Sequence, residues 1–321
     1  MDEHVPVLVE EVLEGLAPRA GGLYVDGTFG RGGHTARLLE VIGPEGAVLA
    51  LDRDPAAIEA GQRRFAGDAR LTLVQAEFAE LARVVGEHAR GRPVWGVLLD
   101  LGVSSPQLDQ PERGFSFAKD GPLDMRMDPR HGESAAAWLA RVDERELARV
   151  IYELGEERFS RRIAATIVAA RAETPIERTA QLAAIVQRAV RTRDGKHPAT
   201  RTFQAIRMFI NDELGQLRVA LEAALSVLAP GGRLAVISFH SLEDRMVKQF
   251  IRAKSTVDPI FAGLPVIPPA AQPVMREIGR KRRASEAELA RNPRSRSAVL
   301  RCAEKLAPAS ALTQSVVGGV A

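Results

Sequence analysis

The run Val25-Asp26-Gly27-Thr28-Phe29-Gly30-Arg31-Gly32-Gly33-His34 is followed, twenty residues after Gly32, by Asp52 at the end of Val48-Leu49-Ala50-Leu51. An apolar strand feeds a glycine-rich turn and a helix, and a second strand then ends in an acid. That outlines a βαβ nucleotide site. Glycine lets backbone approach a ligand closely, and the second-strand carboxylate can accept hydrogen bonds from ribose hydroxyls. A tight strand–helix connection with no ligand is the competing reading of the turn alone. The acid after the second strand favours the nucleoside.

Working outward, strand-like runs at Leu23–Asp26, Val48–Asp52, Leu71–Gln75 and Val94–Asp100 alternate with helical patterns at Thr35–Val41 and Ala56–Phe65. A short helix over 8–16 precedes them, with Leu8, Val12, Leu13 and Leu16 on one face. Alternation of this kind implies a doubly wound, mostly parallel α/β sheet. It breaks after Asp100: residues 101–132 are rich in Gly, Pro, Asp and Ser and read as loop, and 134–191 read as helices throughout. At Glu213 a long helix begins, with Leu214, Leu217, Leu221, Ala224, Leu225 and Leu228 at helical spacing. It stops at Pro230-Gly231-Gly232 and leads into a strand over Arg233–Ser238. A helical domain therefore interrupts the parent domain. The expected division is 1–110 and 207–304 for the parent domain, 111–206 for the all-helical insertion and 305–321 for a disordered tail. Residues 255–295, with prolines at 259, 265, 268, 269 and 273, read as loop, and Ala298–Ala303 as the last strand.

The 321 residues suit two domains or one large domain carrying an insertion, and 45% hydrophobic with 26% charged residues excludes disordered and fibrous classes. A single cysteine, Cys302, leaves no disulfide framework and fits a reducing compartment. The acidic start Met1-Asp2-Glu3-His4 does not read as a signal peptide, and no apolar run is long enough for a membrane span. The cytoplasm is the expected location. Dispersed histidines argue for no metal site.

The cofactor can be narrowed from the residues. Gly30-Arg31-Gly32-Gly33 lacks the third glycine of the NAD fingerprint, and Asp26 stands four residues before Gly30. A first-strand acid suits a ligand with an ammonium group, and S-adenosylmethionine carries an amino-acid moiety, a ribose and no phosphate. Asp26 and Asp52 answer that charge distribution. Phe78, just after the third strand, is placed to cover an adenine, with a core aromatic as the alternative.

Longer motifs sharpen this. D-G-T-F-G-R-G-G-H at 26–34, L-D-R-D-P at 51–55, L-L-D-L-G-V-S-S-P-Q-L-D at 98–109, R-G-F-S-F at 113–117 and D-G-P-L-D-M-R-M-D-P at 120–129 are followed by five more. These are G-E-E-R-F at 155–159, K-H-P-A-T-R-T-F-Q-A-I-R at 196–207, L-A-P-G-G-R-L at 228–234, I-S-F-H-S-L-E-D-R at 237–245 and N-P-R-S-R-S at 292–297. In this order, from about residue 4 to 304, they resemble the ribosomal RNA small subunit methyltransferase H family. The resemblance implies a Rossmann-like fold with an inserted helical domain. It also implies S-adenosylmethionine as cofactor and the exocyclic N4 amine of a cytosine in 16S ribosomal RNA as target. By matching position it implies cofactor contacts at Gly32, Gly33, His34, Asp52, Phe78, Asp100 and Gln107, which join Asp26 and Gly30 from the glycine turn.

A cytosine amine is a poor nucleophile, because its lone pair is delocalised into the ring. An acceptor for its N–H bonds raises electron density on nitrogen, and in-line displacement at the sulfonium methyl then depends chiefly on positioning. Asp100, ending the fourth strand where a doubly wound sheet collects ligands, is the first candidate for that acceptor, with cofactor contact alone as the alternative. Asp109, Ser104 and His240 are weaker ones, with loop capping or a structural hydrogen bond as their alternatives. The D-P-P-Y motif of amino-methylating DNA enzymes is absent, since Asp100-Leu101-Gly102-Val103 keeps only the acid.

Two basic runs suit RNA phosphates. Residues 276–301 hold nine Arg or Lys against three Glu, and 188–207 hold Arg188, Arg191, Arg193, Lys196, Arg201 and Arg207 against Asp194. A solvated charged face is the alternative for each run alone. The expected partner is 16S ribosomal RNA within the small subunit, with monomer and homodimer both open. Rival readings are an NAD-linked dehydrogenase, a DNA amino-methyltransferase and an RNA-binding assembly factor with little catalytic activity.

Overall fold

The computed structural model describes residues 6–190, 197–261 and 263–308. In chain order the first elements are α1 (Val9–Leu16), β1 (Leu23–Asp26), α2 (Gly33–Ile42), β2 (Ala47–Asp52), α3 (Pro55–Arg64), β3 (Leu71–Gln75), α4 (Leu81–His88) and β4 (Val94–Asp100). Then come α5 (Ser105–Asp109), α6 (Ala135–Arg141), α7 (Glu144–Gly155), α8 (Ser160–Glu173), α9 (Thr179–Ala189) and α10 (Thr200–Ile210). The last are α11 (Glu213–Val227), β5 (Leu228–Ser238), α12 (Ser241–Ser255), β6 (Met275–Glu277), α13 (Glu286–Arg291) and β7 (Val299–Lys305). The chain divides into two compact units. One comprises residues up to Gly102 together with Gln216 onward, and the other Val103–Gly215.

The first unit is a seven-stranded sheet in the order β3-β2-β1-β4-β5-β7-β6. The five strands from β3 to β5 are parallel, and β7 runs antiparallel to both β5 and β6. Two-residue alternation along the parallel strands feeds two cores. Val25, Leu51, Leu99 and Val236 pack with α4, α11 and α12, whereas Tyr24, Ala50, Leu98 and Ile237 pack with α1 and α2. Strands buried on both faces explain the nearly continuous apolar runs in the sequence. This is the α/β, doubly wound, mostly parallel arrangement of a Rossmann-like fold.

Register sets the site. Asp26, the last residue of β1, pairs with Ala50 on β2 and Leu98 on β4. Because all three strands are parallel, β2 and β4 each overhang β1 by two residues and end in Asp52 and Asp100. Each of these acids follows a residue of the α4-side core (Val25, Leu51, Leu99). Alternation therefore sends all three toward the α2 face.

The second unit has its own core around Trp138, Leu147, Ile151, Ile163, Leu182, Val186, Phe203 and Ile206. Trp138 stacks on Phe209 with ring centroids 4.5 Å apart. Its long irregular segment is fixed by side chains distant in sequence. The Asn211 amide donates to Met125 O (2.7 Å) and its Oδ1 accepts from Met127 N (2.9 Å). Leu123 N donates to Glu177 O (2.8 Å).

Three boundaries depart from the sequence reading. The helical unit is Val103–Gly215 rather than 111–206, because α10 buries Phe203, Ala205 and Ile206 in the Trp138 core. Residues 255–295 are not loop throughout, since they carry β6 and α13. β6 is a three-residue edge strand, too short to leave a periodic pattern. The last strand is Val299–Lys305, and within the expected tail residues 309–321 lie outside the described residues.

Candidate active site

The glycine turn fills the notch between the overhanging strands. Gly27 N donates to Leu98 O (2.9 Å) on one side and Phe29 N to Leu51 O (2.8 Å) on the other. Gly30 N donates to Asp52 Oδ2 (2.7 Å), and the Asp100 N–H donates to Thr28 Oγ1 (2.6 Å). The loop is thereby stitched to the tips of both β2 and β4.

The glycines serve the loop itself. Gly32 has φ 70°, and a Cβ there would lie 2.6 Å from the rings of Phe29 and Phe65. At Gly30, with φ 56°, a Cβ would meet only Thr28 O, 3.9 Å away. Left-handed backbone and close ring packing therefore demand glycine at 32, while Gly30 faces open space. Gly33 begins α2 and packs against Pro6.

The three strand-end acids differ. Asp26 is 1% exposed, closed off from any ligand by burial, and each oxygen holds a loop donor: Oδ1 accepts from Thr28 N (3.2 Å) and Oδ2 from the Thr35 hydroxyl (2.7 Å). Burial pushes its carboxyl above the usual range, against the pull of those hydrogen bonds and of His34. Asp52 accepts Gly30 N on Oδ2 and Asp54 N (2.8 Å) on Oδ1. A carboxylate has about four lone-pair positions, so each oxygen keeps one for a further donor. Burial pushes the Asp52 carboxyl up to about 6, with the charges of Asp54 and Asp26 adding to the effect. Asp100 keeps a quarter of its side chain exposed. Its Oδ2 lies 3.5 Å from His34 Nε2, and its buried Oδ1 has no hydrogen-bond partner among the described residues.

Phe78 opens a turn after β3 and packs half-buried against the α4-side core. His240 precedes α12, and its Nε2 lies 2.9 Å from Glu243 Oε1, whose other oxygen accepts Phe239 N (2.8 Å). Ser104, Gln107 and Asp109 belong to the second unit. Ser104 N donates to Gln107 Oε1 (2.9 Å) at the start of α5, Gln107 is buried and Asp109 is exposed. The structure thus brings Asp26, Gly30, Gly32, Gly33, His34, Asp52 and Asp100 together at one sheet edge.

Thr28 and Thr35 were missed as functional positions by the sequence reading. Both lie in or beside the quoted motif, but the partner of Thr28 is 72 residues away and leaves no local signal.

The matching family model is that of the MraW methylase family, and it spans residues 1–306. The chain belongs to the MraW methylase family. It is 58% identical over 306 residues to the ribosomal RNA small subunit methyltransferase H of Thioalkalivibrio sulfidiphilus, covering 95% of this chain and 98% of that protein. The proteins of the same name from Xylella fastidiosa and Halorhodospira halophila are 56% and 55% identical over 309 and 305 residues. They cover 94% of this chain in both cases, and 97% and 94% of their own lengths. This MraW-family chain is a methyltransferase, and its methyl donor is S-adenosylmethionine.

The residues present fit that donor. Asp52 retains two acceptor positions for the two hydroxyls of a ribose, and Asp100 offers a buried oxygen that has no partner among the described residues. No helix among the described residues is long and apolar enough to cross a membrane.

The basic runs divide on inspection. Arg276 pairs with Glu304, Arg282 with Glu14, and Arg301 with Asp244 at 2.7 Å. Arg280, Lys281, Arg283 and Arg296 are exposed and have no carboxylate partner among the described residues. In the other run Arg207 forks onto Glu213 (2.7 Å), Arg201 lies 3.8 Å from Glu157, and 191–196 fall outside the described residues.

Proposed function

We propose that the chain methylates the exocyclic N4 amine of a cytosine in 16S ribosomal RNA, presented within the small subunit, and that it works in the cytoplasm. The observation that carries this reading is the Asp100 carboxylate. Its backbone is anchored to the glycine loop, yet one buried oxygen has no partner among the described residues. Leaving a buried acceptor unmade costs about 1–3 kcal/mol. Such an atom is retained where a ligand donor completes it, and an amine N–H is a fitting donor.

Bound S-adenosylmethionine supplies an electrophilic methyl group on a sulfonium. The Asp52 carboxylate accepts ribose hydroxyls, Phe78 covers the adenine, and Gly30 lends an open stretch of backbone. Asp26 holds Thr28 and Thr35 and so keeps the loop in shape. Asp100 accepts an N–H of the target amine, which raises electron density on nitrogen and fixes its direction of attack. A paired cytosine hides its amine, so the base is taken unpaired or flipped. Arg280, Lys281, Arg283 and Arg296 meet phosphates.

The test is methyl transfer to naked small-subunit RNA, to small subunits and to DNA in parallel, with the modified nucleoside identified by mass spectrometry. N4-methylcytidine in the RNA supports the reading. Transfer to DNA alone, or S-adenosylmethionine binding without transfer, contradicts it.

A further inference from the structure

His34 has no part in the mechanism above, although its side chain is 7% exposed and belongs to the same cluster. It sits in the first turn of α2, where unpaired N–H groups disfavour a cation. Three carboxylates oppose that: Asp100 from β4, 3.5 Å away, with Asp26 from β1 and Glu288 from α13 acting at longer range. Of these, Asp26 has both oxygens engaged by Thr28 and Thr35, and Glu288 accepts Leu8 N on Oε1 (2.8 Å). Asp100 alone comes close to the imidazole: its Oδ2 lies 3.5 Å from His34 Nε2 as a charge contact rather than a hydrogen bond, and its Oδ1 has no hydrogen-bond partner among the described residues. Thr28 fixes the Asp100 main chain, so the remaining freedom is rotation of the carboxylate.

We infer that His34 is a positioning residue, which holds Asp100 Oδ2 and thereby turns Oδ1 toward the incoming amine. The inference rests on the reading of Asp100 given above. Without this contact the two oxygens could exchange places, and the acceptor would lose its fixed direction. The electrostatics agree. Burial pushes the imidazole down, but Asp100, Asp26 and Glu288 more than reverse this and hold it above its ordinary value.

The test uses the full chain in two arms. In the first, the ligand-free protein is titrated by NMR. The His34 resonance is expected to titrate above the free-histidine range, and Asp100→Asn to move its midpoint down. In the second, S-adenosylmethionine affinity and methyl-transfer kinetics are measured for His34→Ala and His34→Gln, after thermal melting confirms that each is folded. His34→Ala is expected to lower kcat roughly ten- to a hundredfold at saturating donor, a condition that separates the rate from any change in donor affinity. The Gln amide can donate to Oδ2 without titrating. His34→Gln should therefore restore most of the rate and abolish the loss of activity expected in the parent as pH rises through the His34 midpoint.

His34→Ala turning over at the parental rate overturns the inference, as does His34→Gln remaining as slow as the alanine variant. An Asp100→Asn variant that keeps full turnover removes the Asp100 reading and this inference with it. A slow Asp100→Asn beside fully active His34 variants removes this inference alone.

Discussion

The tips of β1 and β4 carry the same residue type, on adjacent parallel strands and on the same face, yet the fold treats them in opposite ways. Asp26 is 1% exposed with both oxygens occupied by Thr28 and Thr35. Asp100 overhangs by two residues, keeps a quarter of its side chain exposed and leaves Oδ1 without a partner among the described residues. Local sequence at both tips reads alike, as an apolar strand ending in Asp and followed by glycine or Leu-Gly. The register of the sheet decides which acid becomes scaffold and which stays available. A carboxylate that ends a strand inside the notch meets the loop that fills it, and one that projects past the notch meets whatever lies beyond.

Substitutions can break or sharpen that contrast. The largest stability effect is expected at the scaffold acid. Asp26→Ala strips partners from the fully buried Thr35 hydroxyl and the Thr28 N–H, and should cost about 2–4 kcal/mol in chemical denaturation. Asp52 comes next, as the acid with one acceptor position left on each oxygen. Asp52→Asn should weaken S-adenosylmethionine binding roughly tenfold by calorimetry, as expected for hydrogen bonds to a charged group.

Titration of Asp52 acts on stability and on donor affinity in opposite directions. Its carboxyl is raised to about 6 in the folded chain against an ordinary 3.8, so the folded state binds the extra proton between those values. Stability should fall as pH rises through that window, while donor affinity rises toward pH 7 because the ionised form accepts the hydroxyls. Asp52→Asn should flatten both curves.

The smallest effects concern the exposed cations. Replacing Arg280, Lys281 or Arg283 by Gln should weaken RNA binding by about 1 kcal/mol or less each. Each should lower the slope of affinity against salt by about one and leave donor binding unchanged.

Much of this was legible in the chain. The apolar runs ending at Asp26, Asp52 and Asp100 name the strands, and the glycine turn names the ligand-binding edge. Both signals are local, because strand alternation and turn chemistry need only a few neighbouring residues. What escaped is non-local or short. Nothing around Thr28 tells that it holds the backbone of Asp100. Nothing around Asn211 tells that its amide bridges Met125 and Met127, 86 and 84 residues away. β6 has three residues and α13 six. The latter did carry a signal, since Ser285 caps it through Glu288 N in a Ser-x-x-Glu pattern. α10 also carried one, in the helical spacing of Thr202, Phe203, Ala205 and Ile206, and it moved the boundary of the helical unit from 206 to 215.

The central claim is that Asp100 is kept available for the substrate while Asp26 is built into the scaffold. It is tested most directly by single-turnover methyl transfer at saturating S-adenosylmethionine, with Asp100→Asn and Asp26→Asn measured side by side at low temperature and their melting temperatures recorded. Asp100→Asn is expected to lose roughly a hundredfold or more in rate while melting within a few degrees of the parent, whereas Asp26→Asn melts lower and keeps most of its rate. Asp100→Asn transferring methyl at the parental rate would contradict the account.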